Sequence, residues 1–250
     1  MHTYSLFNLN ILSEIKFPNW HPGNTAKTSC VYITYGSVNP NGLQSAWASG
    51  FSYQMNSDDF WVSIPNIARF LISRGTHIIV DPIQRDDDSA ITLFIEEICI
   101  DILLRQRQIS VLPGYSFFLQ NQGLAFAGRS NLASSILKGI FYKRGYEFMG
   151  DRYFAFSNDS QLLPGFPELQ LSTEVASKLG LKPNQATPVR EGIDRVKLPL
   201  HHHSLLPQPL DCLYFIKMSQ EEDVRFMSIE TSLQHRNVSG KMRQNLRITT

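Results

Sequence analysis

The stretch "GLAFAGRSNLASS", residues 123–135, runs from an apolar, strand-like segment into a glycine-bearing loop, and a helical segment, ILKGIFYKRGYEF, follows directly. Strand, glycine-bearing loop and helix form the context of a phosphate loop of the type G-x-x-x-x-G-K-[ST]. Gly128 and Ser135 meet that pattern, whereas its inner glycine is Ala133 and its lysine is Ser134. Glycines let backbone N–H groups curl around phosphate oxygens, and the lysine neutralises their charge. The position of such a loop is present; two of the residues that make it work are not.

Upstream, YSFFLQ and GLAFAG read as two apolar strands joined by a hairpin-like reversal at NQ and Gly123. Before them, AITLFIEEICIDILLRQRQ returns Leu93, Ile95, Ile98, Ile102 and Leu103 to one side at helical spacing. Asp87, Asp88 and Ser89 suit the start of that helix, and Arg105 and Arg107 suit its end. The chain changes character near residue 88. Earlier runs such as CVYITYGS, DFWVSI and THIIVDP are short, β-prone and punctuated by NPNG, NSDD and SRG, which predicts a sheet. Downstream, Gly145 is placed to end the helix that follows the loop. PLDCLYFIKM and VRFMSIETSLQHRNVSG add two strand-like runs, with a helix near 228–236.

A chain of 250 residues with 42% hydrophobic content can bury a substantial core. Its net charge of +1 gives no electrostatic reason to expect a nucleic acid or a membrane surface as partner. Cys30, Cys99 and Cys212 are odd in number and widely spaced, as free thiols of a reducing compartment are. The first twenty residues lack a basic region followed by an unbroken apolar run, and ITLFIEEICIDILL is interrupted by Glu96, Glu97 and Asp101. The expectation is a cytoplasmic protein, in which the sequons at Asn158 and Asn237 carry no glycan.

The run GLAFAGRSNLASSILKGIFYKRGYEFMGDRYFAF, together with IPNIARFLISRGTHIIVDP before it and LPGFPELQLSTEVASKLGL after it, resembles the HPr serine kinase/phosphorylase family and its relatives. There a strand leads to G-x-S-G-x-G-K-S, a helix, an RGY-type turn and a strand headed by an Asp-Asp pair. Lys143 to Tyr146 match the turn, Asp151 matches the second aspartate, and residues 163–181 match a P-x-L-x-L segment with a short helix ending in LGL. The resemblance implies an α/β, phosphoenolpyruvate-carboxykinase-like P-loop fold, with a strand-rich N-terminal region at 1–88 and the P-loop domain at 89–250. It further implies ATP and Mg²⁺ as cofactors. Gly128, Arg129, Ser130 and Ser135 would then bind nucleotide, Ser135 and Asp151 the metal, and Asp151 would be what remains of the catalytic pair.

The departures fall on the functional positions. Asn131, Ala133 and Ser134 replace glycine, glycine and lysine; Gly150 replaces the first aspartate; Pro113 stands where relatives often carry histidine. Losing positioned charge around a phosphoryl group costs orders of magnitude in rate. Arg129 could present a guanidinium from the loop but reads more simply as solvated, and Lys138, four residues after Ser134, shares its helix face one turn too deep. Ser135 reads as a helix cap before a Mg²⁺ ligand. Asp151 is a turn residue or a metal ligand with equal claim.

Other features carry less. His201 and His203 would share a strand face and could chelate a metal, but a polar turn between Pro199 and Pro207 is the simpler reading. Asp86, Asp87 and Asp88 lack the spacing and glycine of a Ca²⁺ loop. Trp47, Phe51, Phe60 and Trp61 read as sheet filling, with a partner or ligand surface as the alternative. The chain is therefore expected to be a protein with a degenerate nucleotide site, a pseudokinase that binds a protein or peptide partner or regulates one, and that binds ATP weakly or takes no cofactor. The alternatives are an active ATP-dependent serine kinase in which Arg129 or Lys138 supplies the missing charge, and a scaffold whose loop holds no anion. A homo-oligomer is compatible with each.

Overall fold

The computed structural model describes residues 1–23, 30–84, 88–128, 132–181, 186–200 and 203–216. Short alternating runs bounded by turns build its first sheet from β1 (His2–Leu6), β2 (Leu9–Ser13), β3 (Cys30–Tyr35), β4 (Ala48–Ser49), β5 (Tyr53–Met55), β6 (Asp59–Ile64), β7 (Ala68–Ser73) and β8 (His77–Pro82). The eight strands lie in the order β1-β2-β3-β8-β7-β6-β5-β4. β3 runs parallel to both β2 and β8, and the other pairs are antiparallel. In β7 the period of two is explicit: Ala68, Phe70 and Ile72 are buried, and the residues between them are half-buried.

The helical segment forms as α1 (Asp88–Phe94) and α2 (Ile100–Gln106), joined by a π-helical turn at Ile95–Cys99 that the periodicity does not predict. Ile91, Ile95, Cys99 and Leu103 are buried along it, and so is Glu96. A π turn fits an extra residue into the helix and re-aims the side chains it carries. Asp88 begins α1, while Asp86 and Asp87 lie outside the described residues.

The hairpin forms as β9 (Ser110–Leu119) and β10 (Gln122–Ala127), and Gln120 and Asn121 turn it with φ of 50° and 65°, the left-handed pair of a two-residue reversal. Then come α3 (Leu132–Lys143), β11 (Glu147–Gly150), β12 (Tyr153–Phe156), β13 (Gln161–Leu163), β14 (Glu168–Ser172), α4 (Thr173–Lys178), β15 (Thr187–Pro188), β16 (Arg195–Pro199), β17 (Gln208–Pro209) and β18 (Cys212–Phe215). The end of α3 is closed by Gly145 at φ 73°, with Tyr146 N–H donating back to the Phe141 carbonyl at 3.2 Å. A seven-stranded sheet runs β17-β13-β12-β9-β10-β18, with β11 also on β9, and a three-stranded sheet runs β14-β16-β15.

This corrects the expected α/β P-loop architecture. Among the described residues strands make up 43% and helices 19%, in large mixed sheets without the alternation of helix and strand that such a fold requires. β10, which leads to the loop, lies between antiparallel β9 and parallel β18. β11, reached through α3, pairs with β9 and not with β10. Strand–loop–helix order is a local property, whereas the neighbours of each strand are set by long-range pairing.

One core lies between the first sheet (Val31, Ile33, Phe70, Ile78), the α1–α2 helix (Ile91, Leu103) and residues of the second half (Val111, Tyr153, Phe166). Another packs Phe117 and Phe148 against Leu169, Leu171, Val175 and Leu198. Residues 1–216 thus form one compact unit. Among the described residues no helix is long and apolar enough to cross a membrane. The run at 224–236 lies outside them.

The four aromatics divide. Trp61 is buried and its indole N–H donates to the Asn39 carbonyl at 2.9 Å; Phe60 is half-buried and stacks on Tyr53. Trp47 and Phe51, which sheet filling would have buried, are exposed at 68% and 106% around the hairpin that ends the sheet. Trp61→Ala is expected to destabilise the fold by about 3–5 kcal/mol. Trp47→Ala and Phe51→Ala should stay within about 0.5 kcal/mol of wild type; urea unfolding midpoints measure the difference.

Candidate functional site

β10 delivers the chain to Gly128, where a Cβ would stand 3.0 Å from the Ile216 carbonyl oxygen, so a larger residue would push the end of β18 away by a few tenths of an ångström. Arg129, Ser130 and Asn131 lie outside the described residues. α3 then turns its polar side inward: Ser134, Ser135, Lys138 and Gly139 are buried, while Leu132, Ile136 and Leu137 are exposed. Gly139 permits this, because a Cβ there would collide with Leu179 beyond α4.

Each inward residue has a protein partner. The Lys138 ammonium donates to Asp151 Oδ1 at 2.6 Å and to the Gln170 carbonyl at 2.7 Å. The other carboxylate oxygen, Oδ2, accepts the Gln170 backbone N–H at 2.7 Å. Lys138 and Asp151 side chains are only 5% and 1% exposed. Ser135, which reads as a cap, instead lies within the first turn of α3 and accepts the Ser172 N–H at 3.1 Å, tying α3 to the start of α4. The space left between Gly114, Tyr115, Gly128, Ser134, Lys138, Asp151 and Arg152 is about 10 Å³. That is the size of one water molecule. Tyr115 is buried there with no partner for its hydroxyl, and burial, reinforced by Asp151, pushes its pKa up.

At position 150 a Cβ would stand 3.2 Å from Phe154 Cβ, Ser116 Oγ and the Tyr153 carbonyl, so a second aspartate does not fit without movement of its neighbours. The structure thus joins Gly128, Ser135 and Asp151 in one region and adds Lys138, which helix geometry had placed too deep for a phosphate. It is deep, and its partner is Asp151.

A larger charged group lies one residue further on. Arg152, at φ 70° in the turn between β11 and β12, donates to Glu96 Oε2 and to Glu97 Oε1, each at 3.1 Å, and lies 4.1 Å over the Phe166 ring. Lys197 of β16 reaches Glu96 Oε2 at 3.3 Å and Glu168 Oε1 at 2.9 Å. Trp20 Nε1 donates to Glu96 Oε1 at 2.9 Å. The only signal in the sequence was a pair of glutamates inside an apolar helix; their partners are 55 to 101 residues away. Burial alone would raise the Glu96 pKa, but Arg152 and Lys197 outweigh it and hold the carboxyl below its ordinary range.

His203 also departs from the polar-turn reading. It forms a bridge with Phe148, and its Nδ1 lies 3.2 Å from Nε2 of His21. Burial lowers the His21 pKa, and burial together with His21 brings His203 to about 4. His201 and His202 lie outside the described residues. Among the described residues no group of three or more His, Cys, Asp or Glu could hold a metal ion.

No protein-family model matches the chain, and no curated protein matches it.

Two outcomes follow from the buried charges. Lys138→Met leaves Asp151 buried without its cation and should cost about 3–5 kcal/mol, while Lys138→Met combined with Asp151→Leu should recover much of that loss; denaturant unfolding of the three proteins tests it. Glu96 titrates lower in the folded than in the unfolded chain, so its stabilisation is present above the unfolded pKa and is lost as pH falls through the folded one. Glu96→Gln should therefore lower stability at neutral pH and flatten the loss of stability below about pH 4.3, read from melting temperature against pH.

Proposed function

We propose that this chain is a non-catalytic binding protein that engages a protein or peptide partner in a regulatory role, and that its loop at 128–135 holds ATP weakly or not at all. The observation that carries this is the Lys138–Asp151 pair. A phosphoryl-transfer site needs a cation free to meet phosphate, a carboxylate free to hold Mg²⁺ or a proton, and room for the phosphate itself. Here the cation meets the carboxylate, both carboxylate oxygens are taken, and the remaining space suits one water. The alternative, an ATP-dependent serine kinase, takes its missing charge either from Lys138, which would have to leave Asp151 and the Gln170 carbonyl, or from Arg129, which lies outside the described residues.

The partner half of the proposal is supported by apolar side chains turned to solvent: Leu132, Ile136 and Leu137 on α3, and Trp47 and Phe51 beside β4. A cytoplasmic setting belongs to the same proposal, supported by Cys30, Cys99 and Cys212, none of which is in a disulfide. The resemblance to HPr serine kinase/phosphorylase proteins enters it as the origin of the loop and not as an activity.

Calorimetric titration with ATP and ADP in the presence of Mg²⁺ is expected to give at most weak binding, and submicromolar affinity overturns the proposal. Ala133→Gly with Ser134→Lys restores the loop pattern in letters only. Ser134 is buried beside Lys138, so a second ammonium meets the first; the double variant should gain no ATP affinity and lose about 2 kcal/mol or more of stability.

A further inference from the structure

We propose that His21 and His203 form a binding site for a divalent transition-metal ion of the zinc, nickel or copper class, with water in the adjoining cavity completing its coordination. Nε2 of His21 and Nδ1 of His203 stand 3.2 Å apart, with the rings tilted by 31°. Two nitrogens bound to one tetrahedral ion at about 2.0–2.1 Å stand about 3.3–3.4 Å from each other, so the pair closes on an ion with little movement. Without an ion the two rings share a hydrogen bond.

Both histidines sit on backbone that is held without an ion. The His21 backbone carbonyl accepts from Ser5 N–H at 2.9 Å, and Gly23 N–H donates to the Thr3 carbonyl at 3.0 Å, which lays this segment along β1. His203 is held by its bridge to Phe148 in β11. The site thus joins two segments 182 residues apart.

His21 lines a cavity of about 160 Å³, together with Ser5, Leu9, Asn10 and Leu205. Asn10 is buried, and its amide oxygen would stand 2.8 Å from a Cβ at Gly23, which places it at the wall that His21 shares. Among the described residues no carboxylate and no cation lines this cavity. Two imidazole ligands favour zinc, nickel or copper over calcium or magnesium, which prefer all-oxygen sites. Two protein nitrogens with water give a weaker site than a closed four-ligand cage.

His201 and His202 adjoin His203 in the sequence, and a histidine run can chelate these same ions unaided. The test therefore uses a tag-free full-length chain titrated with Ni²⁺ and with Zn²⁺ by calorimetry, with thermal melting in parallel. The expected result is one ion per chain and a melting temperature that rises with metal. His21→Gln and His203→Gln should each weaken binding by about tenfold or more and abolish the rise, while His201→Ala with His202→Ala should leave both. Melting of the metal-free variants verifies that each is folded, and His21→Ala serves if His21→Gln retains a ligand through its amide. Absence of saturable binding overturns the proposal, as does binding that survives the loss of His21 in a folded variant. Binding lost only with His201 and His202 assigns the ion to the run alone and overturns it equally.

Discussion

Asp151 and Arg152, adjacent in the turn between β11 and β12, are both buried and carry opposite charges in opposite directions. Asp151 faces α3 and β14, where it takes the Lys138 ammonium and the Gln170 N–H. Arg152 faces the π turn and β16, where Glu96, Glu97, Glu168 and Lys197 gather. A buried charge is tolerable only when it is paired and hydrogen-bonded. Two such pairings from neighbouring residues therefore fix the second sheet, α3, the α1–α2 helix and the small sheet against one another. The positive φ of Arg152 fits this constraint, since the turn must send the two side chains apart.

The same turn determines what the loop at 128–135 can do. A phosphate loop works because backbone N–H groups, a lysine and a carboxylate-held metal converge on an empty space. In this chain the described lysine and carboxylate meet each other instead, beside a space of about 10 Å³. Lys138 is a structural cation, Asp151 is its counter-charge, and Ser135 accepts a backbone N–H between α3 and α4. These groups satisfy one another, so an anion would have to compete with short charged hydrogen bonds already made.

Much of the local structure was legible in the sequence. The 3.6-residue period announced the helix from 88 to 106, the reversal expected at Asn121, Gln122 and Gly123 announced the β9–β10 hairpin, whose turn falls at Gln120 and Asn121, and Gly145 marked the end of α3. What could not be read was pairing at a distance. The order of strands in the seven-stranded sheet, with β11 on β9, has no counterpart in chain order, and this is why a correct strand–loop–helix unit led to the wrong fold class. The site followed the same rule. Gly128 and Ser135 stood out by spacing, and Asp151 only through the family resemblance of its segment. That Lys138 would meet Asp151, that Arg152 would meet Glu96, and that His21 would meet His203 depended on contacts across 13, 56 and 182 residues. Trp47 and Trp61 show the limit most plainly: both read as sheet filling, yet Trp61 lies within β6 and is buried while Trp47 stands just before β4 and is exposed.

The most direct test is a crystal structure of the full-length chain grown with millimolar Mg-ATP. A filled site predicts Lys138 Nζ still within hydrogen-bonding distance of Asp151 and of the Gln170 carbonyl, a single water beside Tyr115, and no phosphate density at the N-terminus of α3. Ordered triphosphate density between Gly128 and Ser135, with Lys138 swung from Asp151 onto a phosphate oxygen, would contradict it.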